Sequence, residues 1–452
     1  MSWQARSLYL LLAVAIVVSA PWAIVRGAAG RSPVRARSVI FLMGDGMGTA
    51  QRDAIQLATV GPYGRLTMDQ LPYTGMMSTN SVDPKTFVTD SAAAATAWAI
   101  GRKTRNGAVG VDARGKAWPT ILEEAKRAGK SVGLVTTSQV TDASPAAFAA
   151  HVEDRDEQSE IARQYLEASK VDVILGGGED YWYPQGNPGA FPDHPKDDPE
   201  EGSKGNRGDL VREAKRLGYT YVTNRQELMA ARGPKVLGLF ANEEMFQQRP
   251  EGEGAVYSPV VSLPEMTQKA IEILSRNPRG FFLFVEQEAI DEMGHNNNSE
   301  LLMKAGQELD KSVGVALDYA KESGDTLVLI TGDHECCGLT VEGPDDPDYP
   351  DEDGGEIKGN ISGEDGPFRA ARSRYSFKTD WTTAGHTPVD VPVSAYGPYA
   401  DQLVGNYENT HLHEVLQQAL GLGPNGTPEA GGGWRYRIGS PWRDIASHLP
   451  WR

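Results

Sequence analysis

The strongest constraint on the fold is a regular alternation of apolar and amphipathic stretches after residue 36. Short apolar runs predict buried strands at 37–43, 132–136, 171–175, 236–240, 281–285, 326–330 and 391–395, with 391–395 as the final strand. Longer amphipathic stretches predict helices at 118–128, 158–169, 264–276 and 300–323. Strands that alternate with helices form a mainly parallel sheet. The pattern therefore predicts an α/β fold in which a large, mainly parallel sheet is sandwiched between helices.

Length and composition fit this fold and exclude several other classes of protein. The 452 residues include 44 Lys and Arg against 61 Asp and Glu, which gives a formal charge of −17. That balance argues against a protein that binds nucleic acid, which needs a basic face. The two cysteines, Cys336 and Cys337, are adjacent, so a scaffold held together by disulfides is excluded. We expect one domain over 30–452, with inserted loops near 181–208 and 342–366.

Residues 1–29 have the form of a leader for export. Arg6 precedes the apolar run Leu8–Val18, and the small residues at 27–29 follow, as in a secretory signal peptide. The 18 uncharged residues at 8–25 are also long enough for an N-terminal anchor that is never cleaved. We therefore expect export to the periplasm or the extracellular space, with membrane contact only if the leader is retained.

The inserted stretch 342–366 is strongly acidic. It holds ten Asp and Glu residues against Lys358 alone. A solvated surface loop is the simpler interpretation of such a stretch. A calcium site is the alternative, because carboxylate oxygens are abundant there, although the spacing of an EF-hand is missing.

Acidic residues and histidines lie next to several of the predicted strands. They are Asp45 after 37–43, Glu286, Asp291 and His295 after 281–285, Asp333 and His334 after 326–330, and His386 shortly before 391–395. Ligands of an open α/β sheet bind beyond the carboxyl ends of its strands, so we expect these side chains to converge. Asp, Glu and His are the oxygen and nitrogen ligands of Zn²⁺, and carboxylates also serve Mg²⁺. On a helical turn, Asp291 and His295 would share one face.

The candidate nucleophile is Ser91, which precedes a run of alanines. Ala is the strongest helix former, so Ser91 is predicted at or near the start of a helix. In the functional interpretation, the helix start favours an anion and a nearby metal activates the hydroxyl group. In the simpler interpretation, Asp90 or Ser91 only caps the helix.

Asp142, Ser144 and Arg155 complete the candidate site. Asp142 and Ser144 follow the predicted strand at 132–136 and offer oxygen atoms either to a metal or to its ligands. Arg155 offers a planar guanidinium group that suits phosphate oxygens. Without the other residues, a surface salt bridge would be the default interpretation of Arg155.

Taken together and in this order, these stretches resemble the alkaline phosphatases, the metal-dependent phosphomonoesterases of the bacterial and animal type. The resemblance covers almost everything after about residue 37. The stretches that carry it are Gly44–Gly48, Thr89–Ala93, Asp142–Ala147 with His151 and Arg155, Phe284–Glu286 with Asp291 and His295, Gly332–His334, Ala384–His386 and Ala395–Pro398. The resemblance implies a single large α/β domain, usually in a homodimer, that hydrolyses phosphate monoesters through a phosphoserine intermediate.

The resemblance also implies a role for each candidate residue. Three groups would hold metal ions: Asp291, His295 and His386 a first Zn²⁺, Asp45, Asp333 and His334 a second Zn²⁺, and Asp45, Ser144 and Glu286 one Mg²⁺. The second Zn²⁺ would also meet Ser91, and Arg155 would bind two phosphate oxygens. Asp142, His151 and Glu292 would surround the site without binding a metal.

Two features depart from better-known members of that family. Glu292 stands where relatives often carry Lys, His or Trp, and if it faces the site beside Asp142, no positive group backs Arg155. Cys336 and Cys337 stand where many relatives have another histidine. Small buried residues are the simpler interpretation of the two cysteines. Thiols that perturb a zinc site are the alternative.

Two other functions stay open at this point. A phosphodiesterase or nucleotide pyrophosphatase of the same superfamily is one, but Arg155, Ser144 and Glu286 would crowd the space of a second ester group. An exported protein that captures phosphate or zinc without turnover is the other, although Ser91 is present. The main expectation is an enzyme for small-molecule phosphate monoesters that does not bind nucleic acid.

Overall fold

The computed structural model describes residues 35–193, 202–246, 257–343 and 364–423. The predicted leader at 1–29 lies outside these ranges, and so does most of the acidic insertion at 342–366. Within the described ranges, no helix combines the length and the apolar character that a membrane span requires.

Ten of the fifteen strands in the described ranges form a central sheet. In chain order the strands are β1 (Ser38–Gly44), β2 (Tyr73–Ser78), β3 (Ser131–Gln139), β4 (Val173–Gly177), β5 (Thr220–Val222), β6 (Val236–Leu239), β7 (Phe281–Gln287), β8 (Thr326–Thr331), β9 (Glu335–Cys336), β10 (Leu339–Glu342), β11 (Glu364–Arg369), β12 (Ser376–Trp381), β13 (His386–Thr387), β14 (Val391–Tyr396) and β15 (Gly405–Glu408). The order in the central sheet is β15-β2-β14-β8-β1-β7-β3-β4-β6-β5, while β10-β12-β11 and β13-β9 form two small sheets.

The central sheet is mainly parallel, as predicted. All neighbours from β8 to β5 run parallel. β14 is the exception, since it runs antiparallel to both β8 and β2.

The prediction that 391–395 is the final strand is wrong, because β15 follows it and pairs with β2. β2 was not predicted either. Both strands lie at one end of the sheet and leave much of their length exposed, so no continuous apolar run marks them. The stretch 342–366 was predicted as an inserted loop, but its two ends are strands. β10 ends within this stretch and β11 begins within it.

Helices cover both faces of the sheet. In chain order they are α1 (Thr49–Thr59), α2 (Ser91–Ile100), α3 (Ile121–Arg127), α4 (Ala143–Ala149), α5 (Gln158–Glu167), α6 (Leu210–Arg216), α7 (Arg225–Ala230), α8 (Leu263–Leu274), α9 (Ala289–His295), α10 (Ser299–Ser323) and α11 (His411–Leu420). One layer contains α2 to α6 with α11, and the other contains α1 with α7 to α10.

Strand β1 shows why the central strands are apolar throughout. Phe41 and Met43 pack into the layer of α2, while Ile40 and Leu42 pack into the layer of α10. Successive side chains of a strand point to opposite faces, so a strand covered on both faces needs apolar residues at every position.

A cluster of aromatic rings fixes the helices that carry candidate site residues. Phe41 of β1 packs on Trp98 of α2, with ring centres 5.1 Å apart. Phe148 of α4 packs on Phe284 of β7, with ring centres 4.6 Å apart. These contacts anchor α2 and α4 on the sheet through the last turn of each helix.

Candidate active site

The carboxyl ends of three neighbouring strands bring predicted acidic residues together. Met43 of β1 pairs with Thr331 of β8 on one side and with Glu286 of β7 on the other. Asp45 and Asp333 each lie two residues beyond that row. Asp45, Glu286 and Asp333 are all buried. The parallel register of the sheet therefore concentrates three carboxyl groups at one edge.

The turn after β1 requires glycine at position 46. Gly46 has a φ of +65°, in the left-handed region that glycine adopts most readily. A Cβ atom there would lie 2.5 Å from Asp291 Oδ1 and 2.8 Å from Cys336 Cβ. The Gly46 N–H donates to Asp333 Oδ1 at 3.1 Å, so this turn also orients a candidate ligand.

The first trio consists of Asp291, His295 and His386. His295 Nε2 lies 3.1 Å from Asp291 Oδ2, and His386 Nε2 lies 3.2 Å from His295 Nε2. Each imidazole donates its Nδ1 proton to a carbonyl group, His295 to Ala384 at 2.8 Å and His386 to Thr89 at 3.0 Å. This leaves Nε2 of each ring, which faces Asp291, as the atom that binds either a proton or a metal ion.

The second trio consists of Asp45, Asp333 and His334. His334 Nε2 lies 3.1 Å from Asp333 Oδ2 and 3.5 Å from Asp45 Oδ1. The His334 ring stacks on His386 of the first trio, with ring centres 3.6 Å apart, so the two trios adjoin. Within each trio the candidate ligand atoms all lie within 4.8 Å of one another, close enough for one ion to reach all three.

Ser91 begins α2, and its hydroxyl group lies at the second trio. Asp90 caps the helix, since its carboxylate accepts a hydrogen bond from the Ala93 N–H at 2.9 Å. Ser91 Oγ lies 3.3 Å from His334 Nε2. The capping role that the sequence left open therefore falls to Asp90, and the Ser91 hydroxyl group faces the site.

The three residues expected to hold magnesium start from different elements. Asp45 follows β1, Ser144 lies in the first turn of α4, and Glu286 lies in β7. Thr136 Oγ1 donates to Glu286 Oε2 at 2.5 Å, because β3 places Thr136 directly beside Glu286. Thr136 was not predicted as a site residue, since nothing local in the sequence distinguishes it from its neighbours in the strand.

Buried oxygen atoms without partners show that this site fits cations. Asp45 Oδ1, Asp291 Oδ1, Glu286 Oε1 and Ser144 Oγ are buried without a hydrogen-bond partner. Leaving such an atom uncompensated costs about 1–3 kcal/mol, and more when the group is charged. Divalent ions among these oxygen and imidazole ligands would supply the missing partners. The residues present therefore fit the metals that the resemblance implies.

Crowding of carboxyl groups shifts their pKa values. Burial, with the charges of Asp333, Asp291 and Glu286, raises the pKa of Asp45 well above its usual value. Burial also raises the pKa of Glu286 to about 8 and that of Asp333 to about 6. A cation bound beside these groups would favour their ionised forms.

The pKa values of both histidines in the first trio are raised as well. The hydrogen bond with Asp291 raises the pKa of His295 to about 11. Burial lowers the pKa of His386, but the hydrogen bond with Asp291, the charge of Asp291 and the contact with the Thr89 carbonyl group together raise it to about 9. A metal ion at this trio competes with those protons for the Nε2 atoms, so metal binding there releases protons.

Two carboxylates hold Arg155, and one of them belongs to Asp90, the residue before Ser91. Arg155 Nη2 donates to Asp142 Oδ1 at 2.8 Å, and Nη1 lies 3.6 Å from Asp90 Oδ2. Asp90 and Asp142 are the residues that precede α2 and α4, so Arg155 links the starts of the two helices. The partly buried guanidinium group is thus fixed by the residue that precedes the candidate nucleophile, unlike an arginine in a surface salt bridge.

His151 lies among residues that do not belong to either trio. Its Nδ1 donates to the Gly110 carbonyl group at 2.7 Å, and its Nε2 lies 3.2 Å from Glu123 Oε1. Burial lowers the pKa of His151, but the hydrogen bond with Glu123, the charge of Glu123 and the contact with the Gly110 carbonyl group together raise it above its usual value. These contacts give His151 a structural role in joining the 107–111 segment to α3.

Glu292 and Asp142 share an acidic neighbourhood with Glu288, a buried residue that was not predicted. Glu288 Oε2 is buried without a hydrogen-bond partner. Burial raises the pKa of Glu288 well above its usual value, and the charges of Glu292, Glu244 and Asp142 raise it further. Four acidic residues, Asp142, Glu244, Glu288 and Glu292, therefore lie near one another on this side of the site.

Glu335 is another buried residue that sequence reasoning missed. Its carboxylate accepts hydrogen bonds from Gln51 Nε2 at 2.6 Å, from the N–H groups of Gly338 and Leu339 at 3.1 Å each, and from the Thr387 hydroxyl group. Four donors thus converge on one carboxylate.

The position of Glu335 explains what this network does. Glu335 follows His334 directly, and the pairing of β9 with β13 sets Thr387 opposite Glu335 and His386 opposite Cys336. The Glu335 carboxylate therefore ties the segment that carries His334 to the segment that carries His386.

Replacing Glu335 by Gln should loosen both histidines. An amide would set N–H donors against the backbone N–H donors, so we expect Glu335→Gln to lower the free energy of unfolding by about 1–3 kcal/mol. Zinc affinity should fall about 10–100-fold, as is usual when a residue that orients metal ligands is changed. Urea unfolding and zinc titration against a chromophoric chelator measure the two effects.

The matched control for this experiment is Glu300→Gln, because Glu300 is an exposed residue of α10. It should change the free energy of unfolding by no more than about 0.5 kcal/mol. If Glu335→Gln matched the control in both stability and zinc affinity, the positioning role of Glu335 would be wrong.

Comparison with known proteins agrees with this geometry. A family model described as alkaline phosphatase matches residues 36–349 and 360–422. Alkaline phosphatase 4 of Bacillus subtilis is 33% identical over 439 residues, covering 86% of this chain and 89% of the relative. Streptomycin-6-phosphate phosphatase of Streptomyces griseus is 35% identical over 457 residues, covering 91% of this chain and 96% of the relative.

A solved structure supports the same assignment. The alkaline phosphatase from the Antarctic bacterium TAB5 superposes with a TM-score of 0.68 at 28% identity, covering 85% of this chain and 98% of that one. The match of sequence, fold and buried ligand groups leads to one conclusion: this chain belongs to the alkaline phosphatase family of metal-dependent enzymes and is a phosphomonoesterase.

Proposed function

We propose that this phosphomonoesterase works through a phosphoserine on Ser91, at a site that holds two Zn²⁺ and one Mg²⁺. The observation that carries the proposal is the position of Ser91 Oγ, 3.3 Å from His334 Nε2 where the two ligand trios adjoin. The nucleophile and the candidate metal ligands thus share one buried space at the start of a helix.

In the first half-reaction, Arg155 binds the phosphate group and Ser91 attacks it. Arg155 binds two non-bridging phosphate oxygens through its planar guanidinium group. The Ser91 hydroxyl group releases its proton to solvent and its oxygen attacks phosphorus. The bond between Ser91 and phosphorus forms as the bond to the leaving oxygen breaks, and the leaving oxygen takes up a proton from water to give the alcohol. Divalent ions in the two trios would stabilise negative charge on both the entering and the leaving oxygen.

Water completes the reaction by displacing Ser91 from phosphorus. Arg155 keeps the same phosphate oxygens in place, since Asp142 and Asp90 hold its guanidinium group in one orientation. The bond from Ser91 to phosphorus breaks, and inorganic phosphate leaves. Local cations also explain how a chain with a formal charge of −17 attracts an anionic substrate.

The cellular setting in this proposal comes from the sequence. The leader at 1–29 supports export to the periplasm or the extracellular space, with anchoring to the membrane if the leader is retained. The resemblance to alkaline phosphatases supports a homodimer. Small-molecule phosphate monoesters are the proposed substrates.

Ser91→Ala tests the nucleophile. With zinc and magnesium supplied, the wild-type protein should hydrolyse p-nitrophenyl phosphate and prefer it strongly over bis-p-nitrophenyl phosphate. Ser91→Ala should lose at least about 1,000-fold in kcat, because the attacking oxygen is gone. Release of p-nitrophenol measures both results.

Ser275→Ala is the matched control, since Ser275 ends α8 at the opposite edge of the sheet, and it should keep wild-type activity. Full activity of Ser91→Ala would contradict the phosphoserine mechanism. A preference of the wild-type protein for the diester would favour a phosphodiesterase, and a lack of turnover would favour a protein that only binds phosphate or zinc.

Arg155→Lys tests how phosphate is held. A lysine keeps the charge but loses the paired hydrogen bonds of the guanidinium group. We expect kcat/KM for the monoester to fall about 10–100-fold and inhibition by inorganic phosphate to weaken by a similar factor. Steady-state kinetics with phosphate as inhibitor measures both constants.

Arg163→Lys provides the control, because Arg163 pairs with Glu160 and Glu167 on the surface of α5. It should leave both constants unchanged. Unchanged phosphate inhibition in Arg155→Lys would show that Arg155 does not touch the phosphate group.

A further inference from the structure

Two buried thiols, Cys336 and Cys337, lie beside the first trio and have no part in the proposed mechanism. Both are free cysteines with no solvent exposure. Cys337 Sγ lies 4.0 Å from His295 Nδ1. The three candidate ligand atoms, one each from Cys336, Cys337 and His295, lie within 4.8 Å of one another.

The backbone brings the two thiols to the same side. Side chains of consecutive residues in a strand point to opposite faces. Cys337 leaves the strand, because it follows the end of β9 and has a φ of +73°, which is uncommon for a residue other than glycine. Hydrogen bonds hold it there, since the Cys337 N–H donates to the Gly385 carbonyl group at 3.0 Å and the Thr383 N–H donates to the Cys337 carbonyl group at 3.2 Å.

The neighbouring helix leaves room for this pair. Gly294 precedes His295 in α9, and a Cβ atom at that position would lie 3.2 Å from Cys336 Sγ. His295 itself is partly open to solvent, with 32% of its side chain exposed. One of the three candidate ligands is therefore accessible to solvent.

We propose that Cys336, Cys337 and Nδ1 of His295 form a second kind of metal site, which binds one thiophilic ion such as Cd²⁺. Two thiolates are soft ligands and imidazole is a nitrogen ligand of transition metals, so this set selects thiophilic ions over Mg²⁺ or Ca²⁺. This site differs from the two trios, which offer carboxylate and imidazole ligands alone.

The thiophilic site and the first trio share one imidazole ring. In the structure His295 donates its Nδ1 proton to Ala384, and its Nε2 faces Asp291. An ion on Nδ1 displaces the proton there to solvent and replaces the hydrogen bond to Ala384, while the ring keeps a proton on Nε2. The two thiols release their protons to solvent as the ion binds. With Nε2 protonated, His295 no longer serves the first trio, and the two sites exclude each other.

Cadmium titration tests the thiophilic site without any measurement of turnover. The chain has two cysteines, so an ultraviolet charge-transfer band from thiolate to Cd²⁺ reports on Cys336 and Cys337 alone. The band should saturate at one Cd²⁺ per chain. In Cys336→Ala and in Cys337→Ala the band should fall to about half and the affinity at least about tenfold.

Histidine variants test the third ligand. His295→Gln should weaken the thiolate-reported affinity for Cd²⁺ at least about tenfold. His411→Gln is the matched control, because His411 contacts the Gln402 carbonyl group beside α11, and its titration should equal that of the wild-type protein. Circular dichroism checks that each variant is folded.

The absence of the band in folded wild-type protein would overturn the proposal. An undiminished band in either cysteine variant, or an unchanged affinity in His295→Gln, would overturn the three-ligand site.

Competition with zinc tests whether the two sites share the His295 ring. This experiment rests on the zinc site of the proposed function. Prior loading with Zn²⁺ should weaken the thiolate-reported affinity for Cd²⁺ at least about tenfold. His386→Gln breaks the first trio and leaves the thiols intact, so Zn²⁺ should lose that effect in this variant. Equal cadmium affinity with and without bound zinc would show that the ring is not shared. If equilibrium dialysis showed that no zinc binds, the zinc site of the proposed function would be wrong. The thiolate band would still test the thiophilic site independently.

Discussion

Repulsion among carboxylates buried at one edge of the sheet is the constraint on which the rest of the site depends. Asp45, Asp333 and Glu286 arrive there on three adjoining strands, and Asp291 reaches the same place from α9. All four are buried, and the other three raise the pKa of Asp45 in addition to burial. The chain meets part of this charge with the Gly46 N–H and with imidazole rings. We propose that divalent ions meet the remainder.

The loops around this edge are shaped by the same need. Glu335 draws four donors together and so joins the segments of His334 and His386, which are 52 residues apart in the chain. Arg155 is fixed by Asp142 and Asp90 at the starts of two helices. Side chains that are oriented before the substrate binds lose less conformational entropy on binding. A preformed site of this kind favours catalysis.

The sequence predicted the central strands and the strand-end ligands because both depend on local patterns. β8 is apolar at nearly every position since helices cover both of its faces, and Asp333 and His334 follow it directly. β2 and β15 were missed because exposed strands at the end of a sheet carry no such pattern. Three site residues were missed for another reason, namely Thr136, Glu288 and Glu335. Each contacts residues that are distant in the sequence, and no local pattern shows that a single Thr or Glu is buried.

Anomalous diffraction at the zinc absorption edge, from crystals grown with zinc and magnesium, tests the central claim most directly. The account predicts two strong peaks per chain, one between Asp291, His295 and His386 and one between Asp45, Asp333 and His334. Peaks at neither trio, in crystals of an active protein, would show that the buried carboxylates are balanced in some other way and would contradict the account.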